Sequence, residues 1–396
     1  MTLTHRIRSW ASDSELSSKI SSSGNCAIES SKAATIIQGL IRMAVEPALA
    51  SSIWSVEKTS RQNASVSEPK RLATGCHTID KCLDGGFDYG SISCISADIE
   101  SGGKELSHSL IASQLLALDR SAVTVIDTTN SFDVRRLHKR LVASLRERNG
   151  EVDAGKRAMQ VLERVRIMKA FDFVGMTECV VEMRERLENP QHENDGLDPA
   201  SAKQDVQAPR GTVGDSEDEE EMLDEPRSPE NPGNIHSDAT VKEDFRTLLV
   251  IDNIAHITSP ILKNNHVQGQ ALLATFMRSL AHLTRAHDIC TLVYNTAVTY
   301  PRDQTTEATP SIFSSCSLRP ALGKSFAYSL DLHLLLHKVP MTAEDAKSVY
   351  ATHSAIPQPS QKLASVLEVM QDRHSNRVGH WAAFRTEPEG GLAAVS

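Results

Sequence analysis

Ser91-Ile92-Ser93-Cys94-Ile95-Ser96-Ala97-Asp98-Ile99-Glu100-Ser101-Gly102-Gly103-Lys104-Glu105-Leu106-Ser107-His108-Ser109-Leu110-Ile111 reads as a strand, a glycine-bearing loop, a lysine and a helix. The layout is that of a phosphate-binding loop, G-x-x-x-x-G-K-[ST], altered at both ends. Asp98 stands where the first glycine belongs, and Glu105 where the Ser or Thr belongs. In the intact motif, glycines let backbone N–H groups curl around phosphate and the helix N-terminus adds positive character. The lysine reaches the β- and γ-phosphates, and the hydroxyl binds Mg²⁺. Gly102, Gly103 and Lys104 keep the middle of this apparatus. Asp98 and Glu105 each add a negative charge, and two unit charges ~4 Å apart interact by roughly 4 kcal/mol at an effective dielectric of about 20. Micromolar affinity is only about 8 kcal/mol in total, so ATP and Mg²⁺ binding is expected to be weak or lost unless Glu105 itself holds the ion. Taken alone, the stretch is equally a turn into a helix with Lys104 solvated.

Around this unit the chain reads as α/β. Short β-branched runs at 91–96, 122–127, 165–170, 247–252, 290–295 and 332–336 alternate with amphipathic stretches at 106–118, 133–148, 175–187 and 268–287. Strands alternating with helices predict a mainly parallel central sheet flanked by helices. Thr247-Leu248-Leu249-Val250-Ile251-Asp252 is an apolar strand that ends in an aspartate. At the C-terminal end of a strand, Asp252 is placed to hold a Mg²⁺ shell as the metal-binding residue. Its alternative role is to cap the next turn. Asp127 ends a similar strand, and no side chain stands out as a general base for water, so no catalytic residue is assigned.

Four segments follow from composition: 1–70, an N-terminal region and linker with a small helical stretch at 31–52; 71–188, the first part of the core; 189–243, an acidic insertion; and 244–396, the second part. Residues 191–240 carry a net −11 against −9 for the whole chain, so the rest is near +2. Low hydrophobicity, six prolines and high charge predict that the insertion is disordered. No apolar run reaches the ~18 residues of a membrane span, and the start lacks the apolar core of a secretory signal. The seven cysteines form no C-x-x-C, which fits reduced thiols inside a cell.

Further segments carry a resemblance. Thr74-Gly75 through Ile79-Asp80 to Gly85-Gly86, Arg319-Pro320-Ala321-Leu322-Gly323-Lys324-Ser325-Phe326, and Glu368–Arg373 with Gly379–Phe384 stand in order around the loop. Together they resemble the RecA-like core of the eukaryotic strand-exchange recombinase and its paralogues, with the D-type paralogue the nearest likeness through 169–173 and 257–262. The resemblance implies a RecA-like core with a closing β-hairpin. It also implies an ATP site made of Gly102, Gly103, Lys104, Glu105 and Asp252. The family's catalytic glutamate corresponds to Thr129, and its γ-phosphate-sensing glutamine to Thr296. With Asp98 and Glu105, four positions of the ATP apparatus have changed, which is expected to lower turnover by orders of magnitude.

By the same resemblance, two loops near 258–270 and 300–320 face single-stranded DNA, with Arg302, Phe313 and Arg319 as the binding residues. Cations that track phosphate beside a stacking aromatic suit single strands. The implied function is that of an accessory factor in homologous-recombination DNA double-strand break repair. The implied setting is the nucleus, with telomere maintenance among the associated roles. Its partners would be single-stranded or branched DNA, other recombinase paralogues and the strand-exchange recombinase, with no membrane. The alternatives are an active DNA-dependent ATPase and a RecA-fold scaffold without DNA contact.

Overall fold

The computed structural model describes residue 51 and residues 71–98, 100–149, 153–189, 245–299, 311–351 and 362–395. Apart from Ser51 and Asn189, the expected helix at 31–52, the linker and the acidic insertion lie outside these residues, as does Arg302.

The elements run β1 (Arg71–Leu72), α1 (His77–Cys82), β2 (Phe87–Asp88), β3 (Ile92–Ala97), α2 (Gly103–Ala117), β4 (Ser121–Asp127), α3 (Val134–Asn149), α4 (Ala154–Leu162), β5 (Val165–Lys169) and α5 (Phe173–Glu188). They continue as β6 (Arg246–Asp252), α6 (Ile254–Asn264), α7 (His266–Ala286), β7 (Cys290–Thr299), β8 (Leu318–Pro320), α8 (Gly323–Ala327), β9 (Leu332–Pro340), α9 (Ala343–Ala351), β10 (Leu363–Asp372), β11 (Trp381–Thr386) and β12 (Leu392–Ala394). One sheet has the order β12-β11-β10-β9-β3-β7-β6-β4-β5, with β8 added to β7. From β9 to β5 all neighbours are parallel. From β9 to β12 they are antiparallel, and Glu368 faces Trp381 in the closing hairpin. The fold is the expected α/β core with a mainly parallel sheet and a closing hairpin.

Period-two alternation along the strands explains the two layers. On β6, Leu248 and Val250 enter one buried cluster, while Leu249 and Ile251 enter the other. The first cluster takes in α1 to α4 through Ile79, Leu106, Leu110, Leu137, Leu141 and Ala158. The second takes in α5 to α8 through Phe173, Met176, Ile254, Phe276, Leu280 and Phe326. A strand that feeds both faces needs apolar residues at successive positions, which is why these strands read as unbroken apolar runs. β7 and β9 are longer than their apolar runs, because β8 and β10 pair with their polar ends.

The glycine-bearing lead-in has a physical account. The Asp80 carboxylate accepts from the Thr74 N–H at 2.7 Å, the Thr74 hydroxyl at 2.8 Å and the Gly75 N–H at 3.2 Å. Gly86 has φ +124°, and a Cβ there would lie 2.1 Å from the Leu72 carbonyl oxygen, so the β1–β2 ribbon closes only over glycine. Arg377, in the β10–β11 turn, locks the hairpin onto this lead-in. It is 1% exposed, donates to Asp372 at 2.6 Å and to the Leu83 carbonyl at 2.8 Å, and lies 3.3 Å from Asp88.

Candidate nucleotide site

Parallel pairing puts the ends of β3, β4, β6 and β7 along one edge, with Asp127 directly opposite Asp252. Ligands bind at such carboxyl edges in open α/β sheets. A cavity of about 250 Å³ opens there, lined by Ala97, Asp98, Gly103, Lys104, Ser107, Thr129, Ser131, Asp252, Asn253, Tyr294, Asn295 and Thr296. Lys104 and Asp252 therefore converge on one space. The volume falls just under the roughly 300–1,000 Å³ of whole-ligand pockets, so it suits a phosphate tail better than an entire nucleotide.

The β3–α2 loop is tightly bedded. The Asp98 carbonyl accepts from the Ser101 N–H at 3.1 Å and the Ser101 hydroxyl at 2.7 Å. Gly102 takes a left-handed conformation, φ +94°, at the helix start. A Cβ on Gly102 would press on Thr386, Phe384 and Ser365 at 3.2–3.3 Å, and one on Gly103 would meet the Tyr294 ring at 3.3 Å. The Tyr294 hydroxyl donates to the Gly103 carbonyl at 2.8 Å, tying the first turn of α2 to β7.

Lys104 is exposed and donates to the Ser131 hydroxyl at 3.1 Å. That hydroxyl pairs with the Thr129 hydroxyl at 2.6 Å. Asp127 is buried, and its carboxylate accepts from the Thr129, Ser131 and Phe132 N–H groups at 3.0–3.3 Å and from the Thr129 hydroxyl at 3.2 Å. Asp127 thus shapes the 128–132 turn, its Oδ1 taken up by Thr129 and Ser131 and its Oδ2 by the Phe132 N–H. Asp252 is different. Burial, then the neighbouring Asp127 charge, push its carboxyl up to about 6, against a partial counter-effect from Lys104. Asn295 is fully buried, and its amide nitrogen donates to the Ser96 hydroxyl at 2.9 Å, while its amide oxygen has no hydrogen-bond partner.

Glu105 stands outside this cavity. Consecutive helical residues point about 100° apart, and Glu105 turns to the other side of α2, 3.0 Å from the Arg136 guanidinium. There it lines a second cavity of about 440 Å³ with His108, Arg136, Lys139 and residues 386–390. The expectation that Glu105 opposes phosphate or holds its Mg²⁺ finds no support in this placement. Gly102 also lies behind the lining rather than in it. Of the residues assigned to nucleotide, Gly103, Lys104 and Asp252 come together. Tyr294, Ser131 and Asn295 are additional lining residues; a polar residue ending an apolar strand was the available signal for Asn295.

The residues assigned to DNA lie elsewhere. Phe313 is half-buried, edge-on to His337 at 5.2 Å and to Trp381 at 5.4 Å between ring centroids. Arg319 sits on β8 opposite Val298 of β7. A cavity of about 430 Å³ lies between the first segment expected to face DNA and residues 321–325, just beyond the second, with Lys263, His266, Gln270 and Lys324 among its lining. It shares no residue with the Lys104 cavity. Among the described residues no cluster of His, Cys, Asp or Glu is arranged to hold a metal, and no helix is long and apolar enough to cross a membrane.

Residues 66–187 match the family model described as Rad51. Among curated proteins, the DNA repair protein RAD51 homolog 4 of Bos taurus is 24% identical over 265 residues, 67% of this chain and 60% of that protein. The chain thus matches about 60% of that relative's length. Among solved structures, the RadB recombinase crystal structure is 20% identical, with 82% of this chain and 100% of that one covered at a TM-score of 0.46. Residues 66–187 thus carry a likeness to the Rad51 family, and two thirds of the chain is similar to a RAD51 paralogue.

Proposed function

We propose that this chain is an accessory factor in homologous-recombination repair of DNA double-strand breaks, working in the nucleus, which holds nucleotide without turning it over. Residues 71–188 and 244–396 act as one core interrupted by the insertion. One observation carries the reading: Lys104 and Asp252 face a single cavity, while Thr129 stands in its wall where the resemblance puts the catalytic glutamate, and Asp127 is occupied by its own turn. A nucleotide with Mg²⁺ would supply the phosphate charge and the cation for which this edge has groups. Lys104 holds the phosphate, Asp252 the ion's shell, and the orphaned Asn295 oxygen is a spare acceptor. The elevated Asp252 carboxyl fits a position whose charge is meant to be met by a cation.

Action then rests on contacts. The second half of the core presents Arg319, with Arg302 in the adjoining segment, to single-stranded or branched DNA. Other recombinase paralogues and the strand-exchange recombinase are the protein partners. Phe313 supports this surface from beneath, since its ring is engaged with His337 and Trp381.

The test is nucleotide binding and ATP turnover on the purified protein, with and without single-stranded DNA, beside Lys104→Ala. Nucleotide binding weakened at least tenfold by the substitution, with turnover at background throughout, is the expected result. DNA-stimulated turnover that Lys104→Ala abolishes overturns the non-hydrolysing reading in favour of an active ATPase. Failure to bind any DNA, alone or with a partner paralogue, leaves a scaffold.

A further inference from the structure

A second constellation of reactive groups lies on the closing half of the sheet, away from the nucleotide cavity. Glu368 of β10 is 1% exposed and accepts from the Ser311 hydroxyl at 2.6 Å and the Ile312 N–H at 2.7 Å, pulling the 311–317 limb onto the sheet. His337 of β9 is 2% exposed, and its Nε2 lies 3.8 Å from a Glu368 oxygen with no hydrogen-bond partner. Cys316 of the limb interacts with the same imidazole and is held in place by its N–H, which donates to the Phe313 carbonyl at 2.9 Å. Phe313 covers the histidine edge-on. A thiol, an imidazole and a carboxylate in this order are the parts of an activated cysteine.

The electrostatics agree. Burial alone raises a thiol, yet contact with His337 and its charge outweigh burial at Cys316 and hold it below its ordinary value. Burial disfavours charge on His337 as well, but Cys316 and Glu368 together lift it to about 9. The other buried thiols behave oppositely: burial pushes Cys82 and Cys179 up to about 11, and Cys94 and Cys290 further. Cys316 is 7% exposed, as are Cys82 at 7% and Cys179 at 8%, so it is the contact with His337 and not exposure that sets it apart.

We propose that Cys316 is a peroxide-sensitive modification site, made reactive by His337 and Glu368. The thiolate sulfur attacks one oxygen of hydrogen peroxide and the O–O bond breaks. The departing hydroxide takes the His337 proton and leaves as water. Sulfur is oxidised by two electrons to the sulfenic acid, peroxide is reduced, and His337 is left neutral. Glu368 stays charged and keeps Ser311 and Ile312, so the modification alters one corner of the limb that leads to Arg319. Held purely as a structural cluster, these groups would give Cys316 no advantage over the other thiols.

The experiment treats the full chain with hydrogen peroxide, traps sulfenic acid with dimedone and reads adducts by peptide mass spectrometry. Cys316 is expected to label at least tenfold faster than Cys82, Cys94, Cys179 and Cys290, and C316S to lose that adduct alone. His337→Gln is expected to slow Cys316 labelling at least tenfold. Because that variant disturbs a buried cluster, iodoacetamide alkylation of the wild-type protein across pH supplies an independent measure. A thiol with a lowered pKa keeps more of its alkylation rate as pH falls, whereas an ordinary thiol loses about tenfold per unit below its pKa near 8.5. Labelling of Cys316 at the rate of the other thiols, an ordinary-thiol pH profile, or a folded His337→Gln variant labelling at the wild-type rate each overturns the proposal.

Discussion

The two ends of the parallel strands handle charge in opposite ways. At the end where β3 and β9 begin, Asp331 is 2% exposed and accepts from the Ile92 N–H at 2.9 Å, with Arg285 at 3.1 Å and Arg373 at 3.5 Å around it. The nearby Arg377 is as thoroughly matched by Asp372 and Asp88. At the end where β3, β6 and β7 finish, Asp252 is half-buried beside another carboxylate, and Asn295 keeps an unsatisfied oxygen. Buried polar groups are normally paired. The fold matches Asp331 and Arg377 closely at one edge and leaves the Asn295 oxygen unmatched at the other, the edge where nucleotide is proposed to bind.

The sharpest way to break the contrast is to disturb the satisfied end. Removing one partner of a buried ion pair costs about 3–5 kcal/mol, so Arg377→Ala should cut unfolding free energy by that much in urea titrations; a loss below ~1 kcal/mol would show the clamp to be ornamental. Acid comes next. Burial holds His108 and His333 neutral, each down to about 4. The unfolded histidine binds protons from about 6.5 downward, so stability falls as pH drops from about 6.5 to 4, by up to about 3 kcal/mol per residue. His333→Gln, which retains a partner for the Ser96 hydroxyl, should flatten that slope in pH-dependent unfolding.

At the frustrated end the sign reverses. The Asp252 carboxyl is raised, so its stability contribution is present below about 4 and lost as pH rises through about 6. Asp252→Asn should therefore stabilise the protein by about 1–3 kcal/mol at pH 8, while removing any Mg²⁺ dependence of nucleotide binding. A destabilised variant would mean that Asp252 is a structural cap. The smallest effect belongs to Lys104→Ala: an exposed side chain with one hydrogen bond should shift stability by less than about 0.5 kcal/mol, measured by thermal unfolding without ligand.

Much of the fold was legible because its strands are apolar on both faces and its helices amphipathic. The shorter helices were not. In α6, Thr258, Ser259 and Pro260 interrupt the apolar period, and the helix exists because Asn253 caps it and Ile254, Ala255 and Ile257 are buried. The site was half legible. Lys104 and Asp252 belong to local patterns, so sequence sufficed to pair them. The direction of Glu105 depends on a residue thirty-one positions later, Arg136, and the burial of Asn295 depends on three neighbouring strands. Phe313 looked like an aromatic free to stack, because its partners His337 and Trp381 come from distant strands.

The hydroxyl of Tyr294 gives β7 a mechanical meaning. It grips the carbonyl of Gly103 from beneath, and five residues later the same strand pairs through Thr299 with Leu318 of β8. If an entering anion lifts the first turn of α2, it must either strip a buried phenol of its acceptor or drag the strand with it. A rigid extended backbone transmits the second far more cheaply than the interior tolerates the first. β7 therefore ties the first turn of α2 at one end to the segment with Arg319 at the other.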